Sequence, residues 1–557
     1  MNLISDITLI QQIIAICKAQ NLKHIVISPG SRNAPLILSF SNDSFFKCYS
    51  IVDERCAAFF AMGIAQQTKK PVAIVCTSGS ALLNYYPAIS EAFYSDIPLV
   101  VFSADRPKEF IDIGDGQTIR QEHVFKNHIC FEANLKNAKE YTKTLFQENE
   151  LLVKEAICVS KNEQGPVHVN IPLYEPLYNT TQKDIETLPI LENTTIIDNF
   201  EIENSFYELW NSCSKKIILV GVLPPNDIEK EVLDNLLSDP SILLLTETTS
   251  NLHHNKLIPN IDMLVAELSD EEKIALQPQL LLTFGGLIVS KKIKTFLRAF
   301  QPQKHIHVSD KTAYDTFGCL TTHYKVKPNT FLTKLVITKS LITSKYQEYW
   351  LNFHKDLKAG HDRYISEIPY SDFTIFHQII KRLKKPLHLQ LSNSSTIRYT
   401  QLFQLPKVVE VFCNRGTSGI DGSTSTAIGA ATIQNKQTLL ITGDLSFFYD
   451  SNALWNNYIP NDFKIIVINN SGGGIFRILP GDKEANYFET FLETAHGLKA
   501  NCLAKMYSFE YLEGKERNFE EQLDLFFKIK NKCILEIHTH RRINDVILLK
   551  YFKKIRQ

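Results

Sequence analysis

Two short apolar runs constrain this chain more than any other feature. Residues 438–442 (Thr-Leu-Leu-Ile-Thr) lead directly into Gly443-Asp444-Leu445-Ser446, and residues 463–468 (Phe-Lys-Ile-Ile-Val-Ile) lead into Asn469-Asn470-Ser471-Gly472-Gly473-Gly474. Continuous apolar runs of this length that end on turn residues read as parallel strands buried on both faces. Helical character over residues 449–457 predicts a strand, turn, helix, strand unit. Both strand ends then open on one edge of a sheet, where ligands of open α/β sheets bind. Asp444 and Asn470, 26 residues apart, are predicted to lie side by side there.

An Asp carboxylate, an Asn amide oxygen and the carbonyls of a Gly-rich turn are hard oxygen donors. They suit Mg²⁺ or Ca²⁺, and a sparsely ligated Mg²⁺ completes its octahedron with phosphates and water. The glycines let backbone N–H groups approach those phosphates. A plain β-α-β turn with a capping Asp would also show Gly-Asp. The Asn-Asn pair and the Gly triplet at this spacing favour a diphosphate and metal site, with Asp444, Asn470 and the Gly472 backbone as ligands.

The stretch resembles the diphosphate-binding motif of thiamine-diphosphate (ThDP) enzymes, which begins Gly-Asp-Gly and closes on Asn-Asn. Leu445 stands where that motif has its third Gly. Gly-Asp-Leu-Ser followed by Tyr449-Asp450, Asn452-Ala453-Leu454 is similar to one branch, the 2-succinyl-5-enolpyruvyl-6-hydroxy-3-cyclohexene-1-carboxylate (SEPHCHC) synthases of menaquinone biosynthesis. The resemblance implies three doubly wound parallel-sheet α/β domains of the pyruvate oxidase/decarboxylase-like architecture, with ThDP and Mg²⁺ (or Mn²⁺) as cofactors. It places Gly443, Asp444, Leu445, Ser446, Asn470, Gly473, Ile475 and Phe476 around the cofactor.

A length of 557 residues, 44% apolar and 22% charged, allows three or four domains. The expected division is a pyrimidine-binding domain over 1–180, a middle Rossmann-like domain over 199–345 and a diphosphate-binding domain over 367–557. Lys plus Arg and Asp plus Glu balance at 60 each, so charge gives no reason to propose nucleic acid or an anionic membrane as partner. Eleven cysteines without a C-x-x-C pair read as free thiols in a reducing compartment. The N-terminus lacks a basic leader, and no apolar run approaches the roughly 18 residues of a membrane span. A cytoplasmic enzyme is expected.

Strand and helix patterns alternate through residues 7–103, predicting a doubly wound sheet. Glu54 follows a strand and opens an apolar helix. A first-turn Glu is ordinarily a partner of the helix dipole, but Asp53-Glu54-Arg55 followed by Ala57-Ala58-Phe59-Phe60 matches the region where ThDP enzymes carry a near-universal catalytic Glu. Such a carboxylate bonds N1′ of the aminopyrimidine and favours the tautomer that activates C2. By the same resemblance Ser31 and Arg32 of Ser28-Pro29-Gly30-Ser31-Arg32, Arg106 of Ala104-Asp105-Arg106-Pro107, and Gln117 are substrate-side residues. Arg suits bidentate carboxylate recognition.

Residues 172–198 lose periodicity and read as a linker. Middle-domain strands are expected at 216–221, 242–246 and 280–284, with 305–308 closing the sheet and residues 321–366 as helical connector. Lys291-Lys292 stands where the synthases carry Lys-Arg, and both are assigned to substrate, with Lys292 a departure from the family. In the third domain, Asn414-Arg415-Gly416-Thr417-Ser418-Gly419-Ile420-Asp421-Gly422 is Gly-rich and opens a helix, which by itself suggests a phosphate-binding turn. It also matches a synthase motif nearly letter for letter. That match makes Gly416, Ser418 and Ile420 cofactor residues, Ile420 being the apolar wedge, and makes Arg415 and Arg398 carboxylate binders.

The implied reaction joins 2-oxoglutarate to isochorismate with loss of CO₂. Apart from His24, the motif stretches hold no His, whereas the Arg set suits two substrates bearing four carboxylates. Another ThDP-dependent carboligase or decarboxylase, such as an acetohydroxyacid synthase, is the alternative, with Leu445 and Arg415 as discriminators. A silent ThDP-fold regulator is disfavoured by the joint presence of Glu54, Asp444 and Asn470. The family also implies a homodimer, paired or not into a homotetramer, whose sites combine Glu54 of one chain with Asp444 of the other.

Overall fold

The computed structural model describes residues 3–138, 141–182, 200–337 and 342–556. Three six-stranded sheets, parallel throughout, follow one another along the chain. A short antiparallel ribbon pairs β1 (Leu3–Ser5) with β8 (Thr180–Gln182). The linker expected over 172–198 is described as far as residue 182, and residues 183–199 lie outside the described residues.

The first sheet holds β2 (His24–Ile27), β3 (Lys47–Ser50), β4 (Val72–Cys76), β5 (Leu99–Asp105), β6 (Phe131–Asn134) and β7 (Val167–Pro172), in the order β3-β2-β4-β5-β7-β6. The middle sheet holds β9 (Lys216–Val220), β10 (Ile242–Thr246), β11 (Leu257–Ile258), β12 (Leu280–Phe284), β13 (Lys304–Val308) and β14 (Leu320–Tyr324), in the order β11-β10-β9-β12-β13-β14. The third holds β15 (Leu387–Leu391), β16 (Val409–Cys413), β17 (Thr438–Gly443), β18 (Lys464–Asn469), β19 (Glu510–Gly514) and β20 (Cys533–His538), in the order β16-β15-β17-β18-β20-β19.

Numbered within each sheet, the first and third share one order, 2-1-3-4-6-5, while the middle has the 3-2-1-4-5-6 order of dinucleotide-binding folds. The outer sheets therefore place their switch points between β2 and β4 and between β15 and β17. The turns that matter occupy equivalent places. Ser28–Arg32 and Ser392–Ser394 follow the first strand, Glu54 and Arg415 follow the second, and Thr77–Gly79 and Asp444 follow the third.

Two differences from the sequence reading concern connecting segments. Residues 321–324, expected to be helical connector, belong to β14 (Leu320–Tyr324) at the edge of the middle sheet, paired with β13. The helix after β17 starts at Asp444 itself (Asp444–Tyr449), with a 3₁₀ turn at Ser451–Leu454, rather than spanning 449–457.

The inner faces of the first and third sheets share one apolar core. Phe59, Phe60 and Met62 of the first domain and Ile428, Phe447 and Phe463 of the third are each at most 2% exposed within it, each contributing about 1.5–3 kcal/mol of burial. Two equivalent helices, Glu54–Thr68 and Ser423–Ala431, cross at its centre. Gly63 and Gly429 make the crossing possible. A Cβ on Gly63 would lie 2.1 Å from the Thr426 carbonyl oxygen, and one on Gly429 would lie 2.0 Å from that of Phe60. Small residues at a crossing let two helix backbones touch.

Candidate active site

Asp444 is the first residue of its helix, and its carboxylate is 3% exposed. Oδ1 accepts the Leu445 N–H (2.7 Å) and Oδ2 accepts the Gly472 N–H (3.0 Å). β17 and β18 are neighbours, so Asp444 and Asn470 do meet at one edge. Asn470 Nδ2 donates to Asp372 Oδ2 (3.1 Å), which leaves Asn470 Oδ1 buried without a partner. A buried, unpaired amide oxygen is costly unless something fills the gap. Beside a carboxylate, a divalent cation is the natural occupant, and the donor set is all oxygen.

Asp372 was not foreseen. It opens the helix Asp372–Arg382 behind the Ser371 cap, is 2% exposed, and accepts the Thr539 hydroxyl on Oδ1 (2.6 Å). Burial, and then the nearby Asp444 charge, lift its pKa to about 6 against the hydrogen bonds from Thr539 and Asn470. His496 was missed as well. Its Nε2 lies 3.3 Å from Asp444 Oδ2, although not aligned as a hydrogen bond, so a histidine does reach this site from outside every motif.

The Gly triplet differs from expectation. Its N–H groups are spent within the loop: Gly472 on Asp444, Gly473 on the Glu493 carbonyl (2.6 Å) and Gly474 on the Gly472 carbonyl (3.0 Å). The loop is held from behind by a buried Arg477–Glu493 ion pair. Ile475 and Phe476 begin the short helix Ile475–Ile478 just beyond. Ile420 is 39% exposed, which leaves an apolar side chain open to a ligand. The Ile420 carbonyl accepts the Ser446 hydroxyl (2.6 Å), tying the Ile420 turn to the Asp444 helix.

The turn at 415–418, read as a phosphate binder, already holds an anion. Glu91 of the first domain accepts the N–H groups of Gly416, Thr417 and Ser418, so Gly416 and Ser418 face a protein carboxylate through their amides. A glutamate in the helix Tyr86–Tyr94 offered no signal for this in sequence.

Arg415 Nη1 donates to Asn393 Oδ1 (2.6 Å), and its Nε is buried and unpaired. Arg398 Nη1 donates to the Ser394 carbonyl (2.7 Å). Burial and then the Arg415 charge lower the Arg398 pKa, so the two guanidinium groups are neighbours. The middle domain adds lysines to this field. Glu247 accepts the Val289 and Ser290 N–H groups (2.7 Å each) and Ser290 caps the helix Lys291–Ala299. On that helix Lys291 and Lys294 share a face. Lys294 has its pKa lowered by burial and, against Glu247, by Arg415, Arg298 and Lys291. Lys292 stands over Phe552, its ammonium 4.3 Å from the ring centre, and its charge, like that of Arg398, acts on the buried Asp262.

At the first domain's edge, Asp53 caps the helix that Glu54 opens, and Asn84 Nδ2 lies 3.4 Å from Glu54 Oε2. Arg32 is buried, donating to the Leu173 carbonyl (3.1 Å) and to Glu175 (3.2 Å). Ser31 bonds Tyr178 (3.0 Å). Arg106 donates to the Gly116 carbonyl (2.7 Å) and pairs with Asp115 (3.2 Å), while the Gln117 carbonyl accepts the Ser78 hydroxyl (2.9 Å). These four residues share one strand-end edge with Glu54. Among the described residues no hydrogen bond or ion pair joins Glu54 to Asp444 or Asn470. Instead its helix start docks on the third domain through Arg55 to the Tyr449 carbonyl (2.9 Å) and Asn452 to Asp53 (2.8 Å).

A family model described as the thiamine pyrophosphate enzyme N-terminal TPP binding domain matches residues 7–131. The 2-succinyl-5-enolpyruvyl-6-hydroxy-3-cyclohexene-1-carboxylate synthase of Flavobacterium psychrophilum is 53% identical over 99% of both chains. The enzyme of the same name from Christiangramia forsetii is 48% identical over 98% of this chain and 99% of its own, and that from Phocaeicola vulgatus is 37% identical over 98% of each. With a thiamine-diphosphate domain and relatives 37–53% identical over nearly the full chain, this chain belongs to the SEPHCHC synthases, thiamine-diphosphate-dependent transferases of menaquinone biosynthesis.

Proposed function

We propose that the protein condenses 2-oxoglutarate with isochorismate, releasing CO₂, with thiamine diphosphate held through Mg²⁺ or Mn²⁺ on Asp444, Asn470 and the Gly472 carbonyl. The unpaired, buried Oδ1 of Asn470 beside Asp444 is the observation that supports the metal. Thiamine diphosphate, when bound, supplies an electron sink for decarboxylation and carbon–carbon bond formation. The residues of the chain do the rest. Glu54 holds a proton at the aminopyrimidine nitrogen. Ile420 offers an apolar surface to the cofactor. Arg106, Arg398, Arg415 and Lys291 hold substrate carboxylates, and Ser31, Arg32 and Gln117 line the same side. Grouped cations in a half-buried place are worth more than exposed ones, because the solvent screens them less.

The domain division at 1–180, 199–345 and 367–557 belongs to this reading, as does a place in the cytoplasm. All eleven cysteines are free, and among the described residues no helix is long and apolar enough to cross a membrane. So does a homodimer or homotetramer with shared sites. It is supported by the docking of the Glu54 helix start on Tyr449 and Asn452, with no hydrogen bond or ion pair between Glu54 and Asp444 among the described residues.

The test is complementation. Mixing Glu54→Gln with Asp444→Ala under conditions of subunit exchange regenerates one wild-type site per heterodimer and restores activity. Heterodimers seen by mass spectrometry that stay inactive would contradict the shared site.

A further inference from the structure

Glu91 is 1% exposed, and among the described residues it forms no ion pair. Its carboxylate is satisfied by five donors. Oε1 accepts the Gly416 N–H (2.6 Å) and the Ser95 hydroxyl (2.9 Å), and Oε2 accepts the Thr417 N–H (2.6 Å), the Thr417 hydroxyl (2.8 Å) and the Ser418 N–H (3.1 Å). Successive N–H groups converging on one anion form a nest, and Ser418, at φ +63°, supplies its left-handed member. The fit is tight enough to require Gly416. A Cβ there would lie 2.4 Å from the Glu91 carbonyl oxygen and 2.8 Å from Ser95 Oγ.

The nest lies between two residues of the site. Arg415 precedes it, tied to Asn393, and Ile420 follows it, tied to Ser446. Asn393 also donates to the Asn414 and Gly419 carbonyls (2.7 and 2.8 Å). The third domain thus holds the turn from one side and Glu91 of the first domain holds it from the other. Without that carboxylate the three backbone donors of this partly exposed turn would lose their protein acceptor, and Arg415 and Ile420 would be held less firmly in place.

We propose that Glu91 is a positioning residue of the synthase: a carboxylate from the first domain fills the nest at 416–418 and sets where Arg415 meets substrate and Ile420 meets cofactor. The proposal rests on the substrate and cofactor roles given above to Arg415 and Ile420. Fixing a binding group in advance lowers the ordering cost at binding, so the role of Glu91 shows in affinity more than in turnover.

The test uses the full-length holoenzyme. Glu91→Gln keeps size but turns an NH₂ group onto a backbone N–H. It is expected to raise KM for 2-oxoglutarate and Kd for thiamine diphosphate by about tenfold or more, the scale of one hydrogen bond to a charged group, with kcat changed less. Glu91→Ala opens the nest, and formate, a carboxylate small enough to enter it, should bring both constants back toward the parent. Arg415→Ala is measured alongside. A raised KM in Arg415→Ala with unchanged KM and Kd in folded Glu91→Gln would overturn the proposal alone. An unchanged KM in Arg415→Ala would overturn the substrate reading and the proposal with it. Failure of formate to act on Glu91→Ala would show that Glu91 serves the fold without serving the nest, and would also overturn it.

Discussion

Replacing Asp372 by Ala probes how the proposed metal site is built without touching a proposed metal ligand. Asp372 Oδ2 takes the Asn470 NH₂ group (3.1 Å), which fixes the amide's orientation and leaves its oxygen buried without a partner. Without that acceptor the amide has no reason to keep its orientation, and its NH₂ group, a donor, can turn to face the cation. The lost interaction is a hydrogen bond to a charged group, worth about 1.5–3 kcal/mol. That agrees with the roughly 10–100-fold cost in metal affinity of removing a group that orients a ligand. Asp372→Asn should lose less, because its side chain can still offer an oxygen to Asn470 while the Thr539 hydroxyl (2.6 Å in the parent) turns to accept from its NH₂. The assay is Mn²⁺ binding by electron paramagnetic resonance at fixed thiamine diphosphate, with thermal unfolding as a control for folding. Mn²⁺ affinity in folded Asp372→Ala equal to the parent's would refute the orientation argument.

Other perturbations separate the remaining roles. Glu54→Gln should still bind thiamine diphosphate but exchange the cofactor C2 proton far more slowly, as followed by NMR after deuterium quench; parent-like exchange would remove Glu54 from the chemistry. Lys291→Ala should raise KM for a substrate about tenfold, as for one charge-assisted contact. Lys292→Ala, whose ammonium sits on Phe552, should change the melting temperature more than KM. His388 is fully buried and stacked on Phe412 with ring centres 4.5 Å apart, and burial, with a smaller push from Lys436, lowers its pKa to about 3. A histidine whose folded pKa lies below its unfolded value stabilises fully above about pH 6.5 and loses that contribution as pH falls through 6.5 toward 3. Between pH 6.5 and 5 this amounts to about 2 kcal/mol, so His388→Phe should lose about that much less stability than the parent over the same range in urea titrations.

Central strands were legible because burial on both faces leaves a continuous apolar run, as in β9, β12, β17 and β18. Within the three six-stranded sheets the strands that escaped notice were β6, β11, β14 and β19, all at sheet edges, and the outlying ribbon of β1 and β8 escaped as well. β14 reads Leu-Thr-Thr-His-Tyr with no fully buried residue, and β11 has two residues, so neither carries a pattern. That Asp444 and Asn470 share one sheet edge was legible for a related reason, since strand-end turns of adjacent parallel strands must meet. Asp372, His496 and Glu91 were not, because each reaches the site from a segment whose local sequence serves its own helix or loop. Lys292 could be placed at a helix start, but which face it shows depends on Phe552, more than 250 residues away.

The central claim is most directly tested by following CO₂ release from carboxyl-labelled 2-oxoglutarate in the presence of thiamine diphosphate and Mg²⁺, with isochorismate added or withheld and with pyruvate as the competing 2-oxoacid. The account predicts sustained release only with 2-oxoglutarate and isochorismate together, one CO₂ for each isochorismate consumed. Sustained turnover of pyruvate, or isochorismate left unconsumed while CO₂ is released, would contradict it.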